Sequence, residues 1–234
     1  MNRLAKAASI AGLAVLCLFL AVFALAHILQ VGKTVALADD YGAALTCEPL
    51  SKPVSVEGVR VIEQDVSCGY AVIEMFGGWA GSAVSEEDMM GEYGTVVTST
   101  GPSFCDEMNK RFPDFDTSMR AFLPHSELLA QIHESLDRGI PVPIEWAAPF
   151  RDSEGVSSWT LHYSLVTGMN ASSNEITVAN PYGYSETIAI DEFLARTSFA
   201  AFEDMPLWMQ LAFDFGVFER NAVFIAQPLN GQPR

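Results

Sequence analysis

The stretch LHYSLVTGMNASSNEITVANPYG, residues 161–183, carries the clearest fold signal in the sequence. Two runs rich in β-branched and aromatic residues flank the turn-forming residues ASSN, and the second run closes with NPYG. This pattern predicts a β-hairpin. His162 lies on the first predicted strand and Asn180 ends the second, so the hairpin brings the two side chains together. We expect Asn180 to bond one imidazole nitrogen of His162 and so to fix its tautomer.

A second stretch, VIEQDVSCGYAVIEMF at residues 61–76, predicts a helix that begins at Ser67 or Cys68. The positive end of a helix dipole stabilises a thiolate, so this position predicts a lowered pKa for the Cys68 thiol. Gly69 leaves room for a substrate backbone, and Gln64 offers a side-chain amide to an oxyanion. On this stretch alone, Cys68 fits a nucleophile and a small buried hydrophobe equally well.

His162 and Asn180 together favour the nucleophile. Taken alone, His162 is typical of a core histidine with a satisfied hydrogen bond, and Asn180 is typical of a turn residue before proline. The order glutamine, cysteine, histidine, asparagine, with the last two on a predicted hairpin, indicates a thiol site. In this hypothesis His162 takes the proton of the Cys68 thiol while Asn180 orients the imidazole.

The order of the predicted elements indicates an α+β domain. HSELLAQIHESLDRG, at residues 125–139, is the clearest interior helix, and its final glycine is a good terminator. IPVPIEWAA, at residues 140–148, predicts a strand, and its two prolines favour a short or edge strand. Helices thus come first along the chain, and an antiparallel sheet follows.

Three stretches resemble the papain-like cysteine peptidases, and within them the bacterial peptidase C39-like domains. They are QDVSCGYAVIEM, LLAQIHESLDRGIPVPI and LHYSLVTGMNASSNEITVANPYG, and the resemblance spans residues 54–227. It implies a papain-like fold and a thiol hydrolase that cleaves peptide bonds without a metal or organic cofactor. It implies a catalytic role for each of Cys68, His162, Asn180 and Gln64. The chain departs from the family pattern twice, because Gln64 is closer to the cysteine than usual and Asn180 stands where aspartate is common.

The amino terminus is an apolar segment apart from the fold. Residues 9–29, SIAGLAVLCLFLAVFALAHIL, follow Arg3 and Lys6. About 20 apolar residues cross a bilayer as a helix, and the two basic residues stay on the cytoplasmic side. A cleaved signal peptide is the alternative, and both interpretations export the domain. The predicted organisation is a signal anchor or signal peptide at 1–32, a linker at 33–53 and a peptidase C39-like domain at 54–228.

The exported part is strongly acidic. The 234-residue chain has a net charge of −16, and beyond residue 38 the 10 remaining basic residues face 29 acidic ones, a net charge of −19. Such a surface repels nucleic-acid phosphates, which excludes a nucleic-acid binder. Three cysteines lie beyond residue 38. If Cys68 is free, Cys47 and Cys105 are left to form the disulfide that an exported domain favours.

The sequence therefore predicts an extracytoplasmic cysteine hydrolase at the cell membrane, or a secreted one if the amino-terminal segment is cleaved. The expected partners are a peptide or protein substrate, including cell-wall peptide, and the membrane through the amino-terminal helix. Aromatic residues near the histidine strand either line an apolar cleft or pack in the core: Trp146, Trp159, Tyr163, Tyr182 and Tyr184. Two other functions stay open, a catalytically inactive papain-like binding domain and acyl transfer of the transglutaminase type.

Overall fold

The protein combines helices with one antiparallel sheet, as the element order predicts. The computed structural model describes residues 3–65, 67–94, 101–151 and 157–229. The helices are α1 (Arg3–Leu37), α2 (Tyr41–Leu45), α3 (Cys68–Ala80), α4 (Glu86–Tyr93), α5 (Gly101–Arg111), α6 (His125–Asp137), α7 (Ile190–Thr197) and α8 (Leu207–Asp214). The strands are β1 (Val54–Ser55), β2 (Phe115–Arg120), β3 (Val142–Arg151), β4 (Ser157–Asn170), β5 (Glu175–Asn180), β6 (Tyr184–Ala189) and β7 (Ala222–Pro228).

The sheet has the strand order β2-β7-β3-β4-β5-β6, and β1 pairs with β4 beside this path. The strand pairs are antiparallel. The predicted α+β class is thus confirmed. One detail differs from the simple order of helices followed by sheet, because β2 precedes α6.

Helices cover both faces of the sheet. Alternate side chains of a strand point to opposite faces, and the neighbours Leu165 and Val166 of β4 enter different cores. Leu165 packs with residues of α3 and α5, whereas Val166 packs with residues of α6 and α7. Apolar burial on both faces holds β4 in place, so the residues that β4 carries have fixed positions.

The predicted hairpin is β4 and β5, and it is confirmed. A short 3-10 turn, Ala171–Ser173, joins the two strands. The Asn170 side chain accepts a hydrogen bond from the Ser172 amide at 3.1 Å, and Asn174 takes the left-handed conformation with φ 56°. Asparagine tolerates that conformation and caps turns with its side chain, which is why ASSN forms a turn here.

The prediction that residues 140–148 form a short or edge strand is wrong. β3 has 10 residues and lies inside the sheet between β7 and β4. It pairs with β4 along its whole length, but β7 pairs with it only at Ile144 and Glu145. Most of β3 is therefore unpaired on the side that faces β7. On that side a proline, which has no backbone N–H, costs the sheet no hydrogen bond.

Three elements, α2, α5 and β2, are missing from the sequence-based prediction. Pro102 at the second position of α5 is a helix-start signal that indicates this helix. Gly101 lies against β2 so closely that a Cβ there would be 2.1 Å from Met119 Sδ. Glycine at this position lets α5 approach β2 without displacing the Met119 side chain.

The predicted Cys47–Cys105 disulfide is also wrong, since both cysteines are free. Cys47 is exposed just beyond α2, whose residues pack with the α6-side core. Cys105 is buried in α5, within the α3-side core. The two residues thus belong to opposite faces of the sheet, which a disulfide cannot bridge.

The amino-terminal helix α1 contains the segment Ala11–Leu29, which is long and apolar enough to cross a membrane. None of this segment is buried within the protein. By length and composition alone, a signal sequence meets the same criterion. Near the end of this segment, His27 Nδ1 lies 2.9 Å from Asp214 Oδ2 of α8.

Candidate active site

Cys68 is the first residue of α3, as predicted. The preceding residue, Ser67, has extended backbone, and the helix ends at Gly81 in the left-handed conformation. The helix buries Ala71, Val72 and Phe76 completely against the sheet. This apolar face, with helical spacing, packs α3 against β4.

The thiol of Cys68 does not have the lowered pKa that its position at a helix start predicts. Cys68 is partly exposed, yet protein atoms surround the sulfur closely, and burial raises the pKa of its thiol to about 11. A hydrogen bond from the backbone of Tyr163 acts in the opposite direction, and the negative charge of Glu145 adds to the rise in this pKa. Loss of hydration outweighs the amides at the helix start, so the resting thiol is neutral.

The Tyr163 contact also locates the thiol. A backbone group that lowers a thiol pKa is a donor, so the Tyr163 amide points at the Cys68 sulfur. Tyr163 directly follows His162 in β4. The Cys68 sulfur therefore lies beside β4 at Tyr163, the residue that follows His162.

His162 and Asn180 form the contact that the hairpin predicts. His162 Nε2 lies 3.0 Å from Asn180 Oδ1, and both side chains are buried. Burial lowers the pKa of His162 to about 4, although the Asn180 bond acts to raise it. The imidazole is therefore neutral at neutral pH.

The surroundings of Asn180 determine which imidazole nitrogen holds the proton. The Tyr182 backbone amide donates to Asn180 Oδ1 at 3.0 Å, and Asn180 Nδ2 donates to Glu186 Oε1 at 2.9 Å. These bonds fix the amide with its oxygen towards His162. An oxygen can only accept, so Nε2 of His162 carries the proton and Nδ1 is left unprotonated.

Glu186 was not predicted as part of this group. It lies on β6, and its other oxygen accepts from Arg196 of α7 at 3.3 Å. Arg196 is in turn bonded to Glu192, one helical turn away. In the strand that follows NPYG, Glu186 comes two residues after Tyr184, which pairs with Asn180. Alternation along β6 therefore puts Glu186 on the same face as Asn180, a signal that is present in the sequence.

Tyr182 covers the imidazole. Its ring is stacked on that of His162, with 4.2 Å between centroids and 21° between planes. Burial raises the pKa of Tyr182, and a thiolate at Cys68 would raise it further, so this ring lies near the sulfur as well. Tyr182 thus adjoins both predicted catalytic side chains and shields the imidazole from water.

Gln64 lies at the end of the hairpin. Its backbone amide donates to the Pro181 carbonyl at 2.7 Å, and the adjacent Glu63 forms a β-bridge with Tyr182. The Gln64 side-chain Oε1 is buried and has no hydrogen-bond partner among the described residues. Gln64 is therefore in contact with the segment between Asn180 and Tyr182.

A cavity of about 650 Å³ opens beside this group. Its lining is Glu63, Gln64, Pro149, Phe150, Ser157, Tyr182 and Tyr184. Of the five aromatic residues near the histidine strand, the two tyrosines at 182 and 184 thus line a cleft. Trp146 and Tyr163 are buried in the cores, and Trp159 packs beside Phe202.

Glu86 holds the loop in front of Cys68. The carboxylate of this buried residue at the start of α4 accepts from the backbone amides of Asp65, at 2.9 Å, and Ser67, at 2.6 Å. The Glu86 amide itself donates to Glu74 of α3 at 2.6 Å. This clamp joins the loop before Cys68 to α3, and no local sequence pattern indicates it.

Within the described ranges, no group of His, Cys, Asp and Glu side chains is arranged to hold a metal ion. The chemistry available is that of a thiol, a neutral imidazole, an amide and a partly apolar cleft.

Comparison with known families assigns the chain. The model of the Peptidase C39-like family matches residues 56–212. The chain belongs to this family. The type of function at the level of this family is that of a cysteine peptidase. The match confirms the resemblance found in the sequence. None of the curated proteins compared with the chain matches it.

Among solved structures, the C39-like chain is similar to one described as a double glycine motif protease from an AMS/PCAT transporter in complex with the leader peptide. The sequence identity is 12%, and the TM-score is 0.43. The match covers 75% of this chain and 98% of the other.

Proposed function

We propose that the protein is a cysteine hydrolase that cleaves peptide bonds with Cys68 as nucleophile, His162 as base and Asn180 as the residue that orients the base. The observation that carries this proposal is the buried contact between His162 Nε2 and Asn180 Oδ1, at 3.0 Å. It leaves Nδ1 as the free acceptor, and Cys68 lies beside the next residue of the same strand. Membership of the C39-like family supports the same type of chemistry.

The reaction starts from a neutral pair. With the pKa of the thiol raised to about 11 and that of the imidazole lowered to about 4, a resting ion pair is unfavourable. The proton therefore moves from the Cys68 sulfur to His162 Nδ1 as the sulfur attacks the substrate carbonyl carbon. The C=O π electrons move to oxygen, and the Cys68 backbone amide and the Gln64 side-chain amide stabilise this oxyanion.

Breakdown of the tetrahedral intermediate restores the enzyme. His162 returns its proton to the amine nitrogen, the C–N bond breaks, and the acyl group stays on sulfur as a thioester. His162 then takes a proton from water, whose oxygen attacks the thioester carbonyl, and the proton passes to the departing sulfur. The products are a free amine and a carboxylic acid.

The substrate enters through the cavity lined by Tyr182 and Tyr184. Its aromatic and proline surfaces suit apolar side chains of a peptide, and Glu63 at its wall favours a nearby cation. The net charge of −16 attracts cationic peptides over a longer range. Peptides, proteins and the peptide part of a cell wall all meet these requirements.

We also propose that the hydrolase domain lies outside the cytoplasm. We assign residues 1–32 as a signal anchor, 33–53 as the connection and 54–228 as the peptidase domain. Arg3 and Lys6 precede the apolar segment and remain cytoplasmic, so the domain is on the other side. Mass spectrometry of the native membrane fraction tests the anchor, since a chain that starts after residue 32 identifies a cleaved signal peptide instead.

Digestion of a peptide library by the full chain tests the proposed activity. We expect cleavage by the wild type and none by Cys68→Ser, with the preferred side chains apolar next to the cleaved bond. No cleavage by a folded wild type supports the inactive binding domain. A library supplemented with a primary amine separates hydrolysis from transfer, because products that carry the amine in preference to water identify an acyl transferase.

A further inference from the structure

Helix α8 and the residues after it expose an apolar surface. Leu207, Trp208, Phe215 and Val217 each leave at least half of their side chain accessible. The opposite side of the helix is a normal docking face, because Met209 and Phe213 are buried in a core with Ala147. The exposed side is thus not needed to hold α8 on the domain.

The segment that carries these side chains has little charge of its own in a strongly acidic protein, although the exposed Glu203 and Asp204 directly precede it. The segment MPLWMQLAFDFGVF, residues 205–218, contains one charged residue, Asp214. Its carboxylate is buried and bonded to His27 of α1. Exposed apolar side chains in one patch mark a surface that contacts another apolar phase.

The contact between α8 and α1 indicates that this apolar phase is the membrane. The apolar segment of α1 ends at Leu29, and His27 is two residues before this end. With a rise of about 1.5 Å per residue, the contact with Asp214 lies about 3 Å from the end of the apolar segment. Asp214 and the adjacent Phe215 are therefore level with the last turn of the segment, where a membrane-spanning helix leaves the hydrocarbon.

We propose that the surface formed by Leu207, Trp208, Phe215 and Val217, the α8 surface, is embedded in the outer interface of the bilayer that α1 spans. This inference rests on the proposed membrane placement of α1 and is independent of the thiol chemistry. The Trp208 indole suits the headgroup level, as tryptophan does in membrane proteins. The contact is driven by apolar burial, because the acidic domain gains nothing from anionic headgroups.

Lipid quenching of tryptophan fluorescence tests the α8 surface. The full chain is reconstituted in dioleoylphosphatidylcholine vesicles and in vesicles of the same lipid brominated on its acyl chains near the headgroup. The signal of Trp208 is the wild-type spectrum minus that of Trp208→Phe. The matched control is the signal of Trp79, obtained from Trp79→Phe, because Trp79 packs in the core on the α3 side of the sheet. Circular dichroism shows that each variant is folded.

We expect brominated lipid to reduce the Trp208 signal and to leave the Trp79 signal unchanged. Adding an anionic lipid leaves the quenching the same. Equal signals of Trp208 in the two kinds of vesicle overturn the proposal, whatever else covers the surface. Alkaline extraction of the vesicles shows which of the two claims has failed, the membrane placement of α1 or that of the α8 surface. Release of the chain refutes the placement of α1, whereas retention without quenching refutes only the α8 surface.

Discussion

The protonation of His162 makes a testable contribution to stability. In the folded protein burial lowers its pKa to about 4, against an ordinary value of 6.5. Between these values the unfolded chain binds a proton that the folded chain does not. The stabilisation is therefore complete above pH 6.5 and is lost as pH falls towards 4. The substitution His162→Gln removes the titrating group and with it this part of the pH dependence.

The size of the effect follows from the two pKa values. The shift of 2.5 units from 6.5 to about 4 corresponds to about 3 kcal/mol in full. At pH 5 the linkage relation gives a loss of about 2 kcal/mol relative to neutral pH. Urea unfolding in mild detergent at pH 7.5 and pH 5, at about 0.1 M ionic strength in both cases, measures it. We expect the wild type to lose about 2 kcal/mol more than His162→Gln between these conditions.

The sign of this difference distinguishes two active-site states. A resting thiolate–imidazolium pair would raise the folded-state pKa of His162 above 6.5, so the wild type would lose less stability than the variant on acidification. Equal losses would mean that His162 is not buried as described. Either result would refute the neutral pair with which the proposed mechanism begins. A general loss of stability in His162→Gln at both pH values does not affect the comparison.

Three further substitutions test the surroundings of the site. Glu86→Ala leaves the amides of Asp65 and Ser67 without their carboxylate, so urea unfolding should show a loss of about 3 kcal/mol in the free energy of unfolding. Glu86→Gln keeps one acceptor and should lose about half of this. Equal losses in the two variants would contradict the clamp. Asn180→Ala frees the imidazole to take the wrong tautomer and should lower kcat about 100-fold with little change in KM. Asn180→Asp keeps an acceptor for Nε2 but loses the donor to Glu186, so it should recover only part of kcat. Steady-state kinetics with no loss for Ala would rule out the orienting role. Tyr182→Ala opens one face of His162 to water, so the acid limb of the kcat/KM pH profile should move to higher pH, towards 6.5. Tyr182→Phe keeps the stacked ring and should leave the acid limb in place. An acid limb at the same pH in both variants would contradict shielding by the ring.

Local signals in the sequence predict the frame of the site well. The start of α3 and the β4–β5 hairpin follow from helical spacing and from turn residues, and both are properties of neighbours along the chain. Because the hairpin fixes which residues are adjacent, it also predicts the contact of His162 with Asn180. The family pattern agrees with these same stretches.

The parts that the sequence does not predict depend on distant neighbours. The thiol pKa of Cys68 is set by burial against β4 and by Glu145, far along the chain, so the helix start alone gave the wrong direction. Glu86 reaches back 19 residues to the Ser67 amide, a contact that no spacing rule specifies. The wrong disulfide has the same origin, because residue counts carry no information about which face of the sheet holds Cys47 or Cys105.

The central claim is that Cys68 is the nucleophile of a peptide hydrolase. Its most direct test is kcat/KM on one preferred library peptide for the wild-type chain, Cys68→Ser and Cys105→Ser. Cys105 is a suitable control because it is also a free, buried thiol whose pKa is raised to about 11. The account predicts a loss of at least about a thousandfold for Cys68→Ser and nearly full activity for Cys105→Ser. Comparable activity of the wild type and Cys68→Ser would contradict it.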